Sequence, residues 1–190
     1  MKTRSGYIAR RRSIAAAALI ALASVSCGGP GPEGSGDASK PGSSRIGVSE
    51  VALPPDDKLV AGQTVYAPIY PHVYTADNAE PLNLAATLYI RNTDPARPII
   101  VSKVSFYHSG GTSLREYLTK PVQIGPLASI DFFVKESDLS GGPSPSFIVR
   151  WVATEAPSEP IIESVMIGTS GTQGISFTAA GRVIESRKLP

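Results

Sequence analysis

A short aromatic stretch carries the residues best suited to binding chemistry. Tyr70, His72 and Tyr74 occupy alternate positions in this stretch. Each side chain combines an apolar body with a polar tip, so such residues supply contact area and also orient a bound group. The pattern predicts a candidate binding surface at these three residues. An edge strand in which Pro68 and Pro71 block further pairing is the structural alternative.

Residues 168–174 form a second candidate, because glycine recurs there at every third position. A phosphate-binding loop would lead into a helix and would place Lys beside Ser or Thr. Here the segment leads into an apolar, strand-like run instead. We expect a tight connection between the final two strands. A loop that contacts a partner, with Thr172 and Gln173 offering hydrogen bonds, is the functional alternative.

Raw material for metal or acid–base chemistry is scarce. The chain has two histidines, His72 and His108, and one cysteine, with no third ligand at a diagnostic spacing. It also lacks the Gly-x-Ser-x-Gly elbow of serine hydrolases. The sequence therefore predicts no catalytic residue, no metal site and no cofactor. An extracytoplasmic metal-handling protein or hydrolase is the alternative function.

Residues 1–26 have the pattern of a signal peptide. They hold five of the 18 Lys and Arg residues and no acid, and an apolar run extends from Ile14 to Ala23. Ten helical residues span about 15 Å, half of the roughly 30 Å hydrocarbon core, so this run is too short for a membrane anchor. The arginines leave both the general and the twin-arginine export routes open. The remaining chain has 13 bases against 16 acids, which argues against nucleic-acid binding.

Cys27 follows this apolar run directly. The sequence from Ser24 to Cys27 resembles a bacterial lipobox, in which the cysteine is diacylated and becomes the new N-terminus. We therefore expect Cys27 to anchor the protein to a bacterial membrane, facing the periplasm or the cell exterior. Plain secretion after an ordinary signal peptide is the alternative. Residues 27–50 are rich in Gly, Pro and Ser and predict a flexible linker behind the anchor.

The remaining residues, 51–190, have the length of one domain and mostly show period-two hydrophobicity. Many turn residues separate the apolar runs, and the 17 prolines disfavour long helices. The pattern predicts an all-β, antiparallel immunoglobulin-like sandwich of about seven to nine strands. Trp151 is expected at the centre of its core, and residues 161–167 are expected to form a strand covered on both faces. The other predicted inward positions are Leu84, Ala86, Leu88, Ile90, Ile100, Val104, Phe106, Ile130, Phe132, Val134, Phe147 and Val149. Val101 is predicted to face outward.

Several segments resemble one bacterial family in the same order along the chain. They are residues 66–74, 83–88, 90–94, 125–129, 132–136 and 172–177. Together they are similar to the bacterial domain-of-unknown-function family 3124 over about residues 65–185. The resemblance implies a small envelope protein, often a lipoprotein, with no established activity. We therefore expect a lipid-anchored β-sandwich that binds an envelope protein or a small ligand.

Overall fold

The computed structural model describes residues 45–74, 80–169 and 174–187. The predicted signal peptide, Cys27 and most of the predicted linker lie outside these residues, as do Thr172 and Gln173. No helix within the described ranges is long and apolar enough to cross a membrane.

Antiparallel pairing joins the longer strands into a large and a small sheet, and two short strands form a separate pair. The large sheet has the order β1 (Val48–Glu50), β8 (Val122–Ile124), β6 (Ile99–Tyr107), β10 (Ser146–Ala153), β2 (Ala61–Pro68) and β13 (Arg182–Ser186), with β7 (Ser113–Glu116) also paired to β6. The small sheet has the order β12 (Ile175–Ala180), β11 (Ile161–Gly168), β5 (Ala85–Arg91) and β9 (Ser129–Val134). The separate pair is β3 (His72–Val73) and β4 (Leu82–Asn83), and a single 3₁₀ turn spans Asp56–Lys58.

These elements confirm the all-β sandwich. The described residues form 13 strands, more than the predicted number, because four of the strands have only two or three residues. Such short strands leave too few positions for period two to be visible in the sequence. Residues 48–50 form β1 and pair with β8, although they are predicted to belong to the linker.

Apolar side chains from both sheets form one core, and aromatic rings lie at its centre. The ring of Phe147 lies 5.2 Å from that of Phe106 and 5.3 Å from that of Tyr117, whose ring lies 5.5 Å from that of Phe132. Trp151 is buried as predicted, and its indole N–H donates to Gln63 Oε1 at 3.2 Å. The centre of the aromatic packing is therefore Phe147 rather than Trp151.

A β-bulge in β6 changes which side chains face the core. Arg150 and Trp151 are consecutive in β10, but they pair with Lys103 and Val101 of β6. Ser102 is therefore an extra residue in β6. The extra residue reverses the alternation, and Val101 is fully buried in the core. The prediction that Ile100 shares the inward face of Val104, with Val101 opposite, is therefore wrong.

Strand β11 is covered on one face only. Ile162, Ser164 and Met166 are buried, whereas Ile161 and Ile167 are 49% and 48% exposed. An antiparallel sheet of a sandwich packs one face on the core and leaves the other open to solvent. The prediction of a strand covered on both faces is wrong for this reason.

The chain passes from the small sheet to the large sheet at Gly181. The Gly181 N–H donates to the Ile162 carbonyl at 2.8 Å. A Cβ atom at this position would lie 2.7 Å from that carbonyl oxygen and 2.7 Å from Val65 Cγ1, so the close approach requires glycine. Gly181 alone thus separates the final strands β12 and β13. Residues 169–174 join β11 to β12 instead, which corrects the prediction made for this loop.

Buried hydrogen bonds on the β5–β6 connection tie together strand ends from both sheets. Asn92 and Asp94 are each 2% exposed. The Asn92 amide lies within 3.2 Å of the carbonyls of Arg97, Ile124 and Gly125. The Asp94 carboxylate accepts backbone N–H bonds from Ala96, Arg97 and Ser158 at 2.8–2.9 Å, and these bonds lower its pKa from 3.8 to about 2.

These bonds predict a specific dependence of stability on pH. Because the pKa of Asp94 is lower in the folded than in the unfolded chain, its ionised form stabilises the fold above pH 4, and this contribution disappears as pH falls toward about 2. We expect Asp94→Asn to lower the urea midpoint at pH 7, by a difference that shrinks steadily between about pH 5 and pH 2. Asp57→Asn on the exposed 3₁₀ turn is the control and should leave the midpoint unchanged. A loss that is the same at every pH would contradict this role.

Candidate functional site

One end of the sandwich gathers the described residues of the predicted binding surface. Strand β2 ends there, and just beyond it the Ile69 N–H donates to the Pro145 carbonyl at 3.0 Å. The Leu84 N–H donates to the Pro71 carbonyl at 2.8 Å, which fixes the start of β5 beside the same segment. We call this the loop end: β2, β6, β9 and β11 finish at it, and β5, β10 and β12 begin at it.

The aromatic side chains of the loop end form two contacting pairs. His72 Nε2 lies 3.3 Å from the Tyr74 hydroxyl, and the two rings meet edge to face at 5.2 Å. The Tyr70 ring lies 5.9 Å from that of Phe177 on β12. Tyr70 and Tyr74 are 41% and 58% exposed, while His72 and Phe177 are half-buried. We call these four residues the tyrosine surface.

The edge-strand alternative does not describe this stretch. Strand β2, which ends at Pro68, lies between β10 and β13 within the large sheet. His72 belongs to a separate two-residue strand, where it pairs with Asn83 of β4. The short arm formed by β3 and β4 therefore carries His72, with Tyr70 and Tyr74 beside it, and within the described residues no strand pairing links this arm to either main sheet.

The base of the β11–β12 connection lies beside this arm. A Cβ atom on Gly168 would lie 3.0 Å from the Asn83 carbonyl oxygen and 2.6 Å from Leu84 Cδ2. The flank of the connection thus packs closely against β4, whose partner strand carries His72. Contacts of Thr172 and Gln173 with a partner remain predictions, because both residues lie outside the described ranges.

His108 has a local role on the β6–β7 hairpin. Its Nδ1 accepts the Gly110 N–H at 2.8 Å, and the Gly111 N–H donates to the His108 carbonyl at 2.8 Å. Gly111 adopts a φ of +84°, a conformation that glycine accommodates without strain. Across residues 45–74, 80–169 and 174–187, no group of three or more His, Cys, Asp or Glu side chains is placed to hold a metal ion.

The loop end also has a charged groove around Arg115, which the sequence pattern does not predict. Arg115 Nη1 donates to the Tyr117 hydroxyl and Nη2 donates to Asp138 Oδ2, each at 2.9 Å. The bond to Asp138 raises the pKa of the guanidinium, and burial raises the pKa of the Tyr117 phenol. Burial alone would raise the pKa of Asp138, but hydrogen bonds from Ser140 and Arg115 outweigh it and hold this pKa below its usual value.

Only part of this arrangement has a signal in the sequence. Arg115 and Tyr117 are two positions apart, and on a strand such residues lie on one face. Nothing in the local pattern points to Asp138, which lies 23 positions after Arg115. The fold is needed to bring this carboxylate to the guanidinium.

Comparison with known proteins identifies the family. The sequence model of the family described as protein of unknown function (DUF3124) matches residues 62–184, and the chain belongs to this family. The family expected from the sequence is thereby confirmed. No curated protein matches the chain. The chain is also similar to a crystal structure described as Thermotoga maritima 1070, with 13% sequence identity and a TM-score of 0.37. The match covers 66% of this chain and 97% of the Thermotoga maritima chain.

The contrast between core and surface yields a stability prediction. We expect Trp151→Ala to lower the free energy of unfolding by about 3–5 kcal/mol, because it empties a buried aromatic site. His72→Ala removes a half-buried side chain from a short arm and should cost less than about 1 kcal/mol. Urea unfolding of both variants measures the difference. Equal losses would make His72 a structural residue and remove it from the candidate surface.

Proposed function

We propose that this member of the DUF3124 family is a lipid-anchored binding module of the bacterial cell envelope, and that its tyrosine surface holds an extracytoplasmic partner. The observation that carries the proposal is the grouping of two exposed tyrosines, Tyr70 and Tyr74, with His72 and Phe177 at one end of the domain, whereas five other aromatic side chains pack in the core. The partner is an envelope protein or a small ligand with an apolar face.

The chemistry of the tyrosine surface supports recognition. Exposed tyrosines give a large contact area at a small cost in side-chain entropy, and tyrosine is enriched where proteins meet partners. Exposed Ile167 and Ile175 at the adjoining ends of β11 and β12 extend the apolar area. The His72 ring supports Tyr74 from its edge, so part of the surface is ordered before a partner arrives.

The sequence of the N-terminal segment supports the proposed location. Cys27 directly follows a signal-like apolar run, and the Gly-, Pro- and Ser-rich segment behind it has the composition of a tether. A diacyl anchor supplies the two membrane signals that stable attachment requires. A tethered domain would hold its binding surface away from the lipid headgroups.

Photo-crosslinking in intact cells tests the tyrosine surface. A photoreactive phenylalanine analogue replaces Tyr74, and in a matched variant it replaces Tyr66, which is 36% exposed on β2 of the large sheet. We expect a discrete adduct from position 74 and none at the same mass from position 66. If position 74 gives no adduct, or both positions give the same adducts, the tyrosine surface is not the binding surface.

Lipid labelling tests the anchor independently of the binding surface. We expect the wild-type protein to incorporate a palmitate analogue and to sediment with membranes. Cys27→Ala should remain unlabelled, because the only thiol of the chain is lost. Ser26→Ala keeps a small residue before the cysteine and should still be labelled. If the wild-type protein takes up no label, plain secretion replaces the lipoprotein assignment.

A further inference from the structure

A groove of about 430 Å³ at the loop end is lined by residues 115–119, from β7 and the segment after it, and by residues 133–138, from β9 and the turn after it. One wall comes from the segment that begins at Arg115 on β7, and includes Tyr117 and Thr119. The opposite wall comes from Phe133 on β9 and from the turn after it, where the Asp138 N–H donates to the Lys135 carbonyl at 2.9 Å. The groove is distinct from the tyrosine surface, with which it shares no residue.

Arg115 is held in a fixed orientation within this groove. Two of its donors bind Tyr117 and Asp138, and its guanidinium carbon lies 5.5 Å from the Tyr117 ring centre and 5.9 Å from that of Phe106. A guanidinium has five N–H donors, so three remain for another acceptor. A guanidinium that is already oriented loses little further entropy when it binds an anion.

Two cations and two carboxylates line the groove, and both carboxylates are held in ion pairs. Asp138 forms an ion pair with Arg115 at 2.9 Å, and Glu116 is paired with Lys103 at 3.2 Å. Glu116 also accepts a hydrogen bond from the Ser105 hydroxyl at 2.8 Å. Lys135 is exposed and has no ion-pair partner within the described part of the chain. Lys135 is therefore the ammonium of the groove that is left for a negatively charged ligand.

We propose that this groove binds an oxyanion, the carboxylate or phosphate group of a small ligand, between the Arg115 guanidinium and the Lys135 ammonium. A guanidinium presents paired donors that match the oxygens of either group. The Thr119 hydroxyl, which also lines the groove, supplies a neutral donor. The rings of Tyr117 and Phe133 form an apolar wall for the part of the ligand that carries the anion.

Titration of the isotope-labelled full chain in detergent tests this site. Sodium phosphate, sodium acetate and sodium benzoate are the probes, each compared with sodium chloride at the same ionic strength. We expect saturable NMR shifts at residues 115–119 and 133–138 with phosphate or with the carboxylates. The probe that binds more tightly identifies the anion class, and tighter binding of benzoate than of acetate reports contact with the aromatic wall.

Two variants assign the site to its cations. We expect Lys135→Ala to weaken binding about two- to fivefold, as for loss of an exposed charge pair. Arg115→Lys keeps the charge but loses the paired donors and should weaken binding at least about tenfold. Lys58→Ala, on the exposed 3₁₀ turn, is the control and should bind as the wild type does.

The Lys135 variant decides the question even if Arg115→Lys is unstable, because Lys135 is exposed and removing it disturbs no packing. The proposal fails if no probe gives saturable shifts at residues 115–119 and 133–138. It also fails if Lys135→Ala binds as tightly as the wild type or if Lys58→Ala weakens binding equally. None of these outcomes bears on the tyrosine surface, which crosslinking at position 74 tests separately.

Discussion

The buried hydrogen bonds of Asn92 and Asp94 are the constraint on which the sandwich most depends. The connection that carries them leaves β5 in the small sheet and enters β6 in the large one. Asn92 holds the carbonyl of Gly125 after β8, and Asp94 holds the N–H of Ser158 before β11. The chain's single cysteine excludes an intrachain disulfide, so these polar contacts and the apolar core must align the two sheets. Polar groups buried this deeply are costly unless they are paired, and both side chains are paired several times over.

The loop end, at the opposite end of the sandwich, is held together by different contacts, and it carries both proposed binding surfaces. There, backbone hydrogen bonds of Ile69 and Leu84 fix the strand ends. The Arg115–Asp138 ion pair links β7 of the large sheet to the turn after β9 of the small sheet. Tyr70 and Tyr74, which lie on either side of β3, are exposed to solvent. A rigid scaffold with its recognition residues on connecting segments is the usual arrangement of binding domains. Stability and the proposed recognition thus depend on residues at opposite ends of the same strands.

Period-two hydrophobicity predicts the inward faces of β5, β9 and β10 because each strand has one face on the core and no interruption. It fails at Ile100 because the bulge at Ser102 is visible only in the pairing with β10. It fails on β11 because an apolar residue such as Ile161 does not show whether a second layer covers it. The contact between His72 and Tyr74 follows from their spacing, whereas the partner of Tyr70 is set by tertiary structure. The groove at Arg115 was missed for the same reason, since its carboxylate comes from a distant turn.

The two proposed binding sites of the loop end, the tyrosine surface and the groove at Arg115, would bind through different physical interactions. Strand β5 and strand β11 lie between β9 and β12, which places Phe133 and Phe177 three strand spacings apart, about 14 Å across the small sheet. Contacts of the tyrosine surface are apolar and aromatic, so salt screens them little. An anion in the groove interacts with the exposed charge of Lys135, which physiological salt screens over about 8 Å. The proposed partner of the tyrosine surface and the proposed ligand of the groove would therefore respond differently to ionic strength, although one end of one domain presents both surfaces.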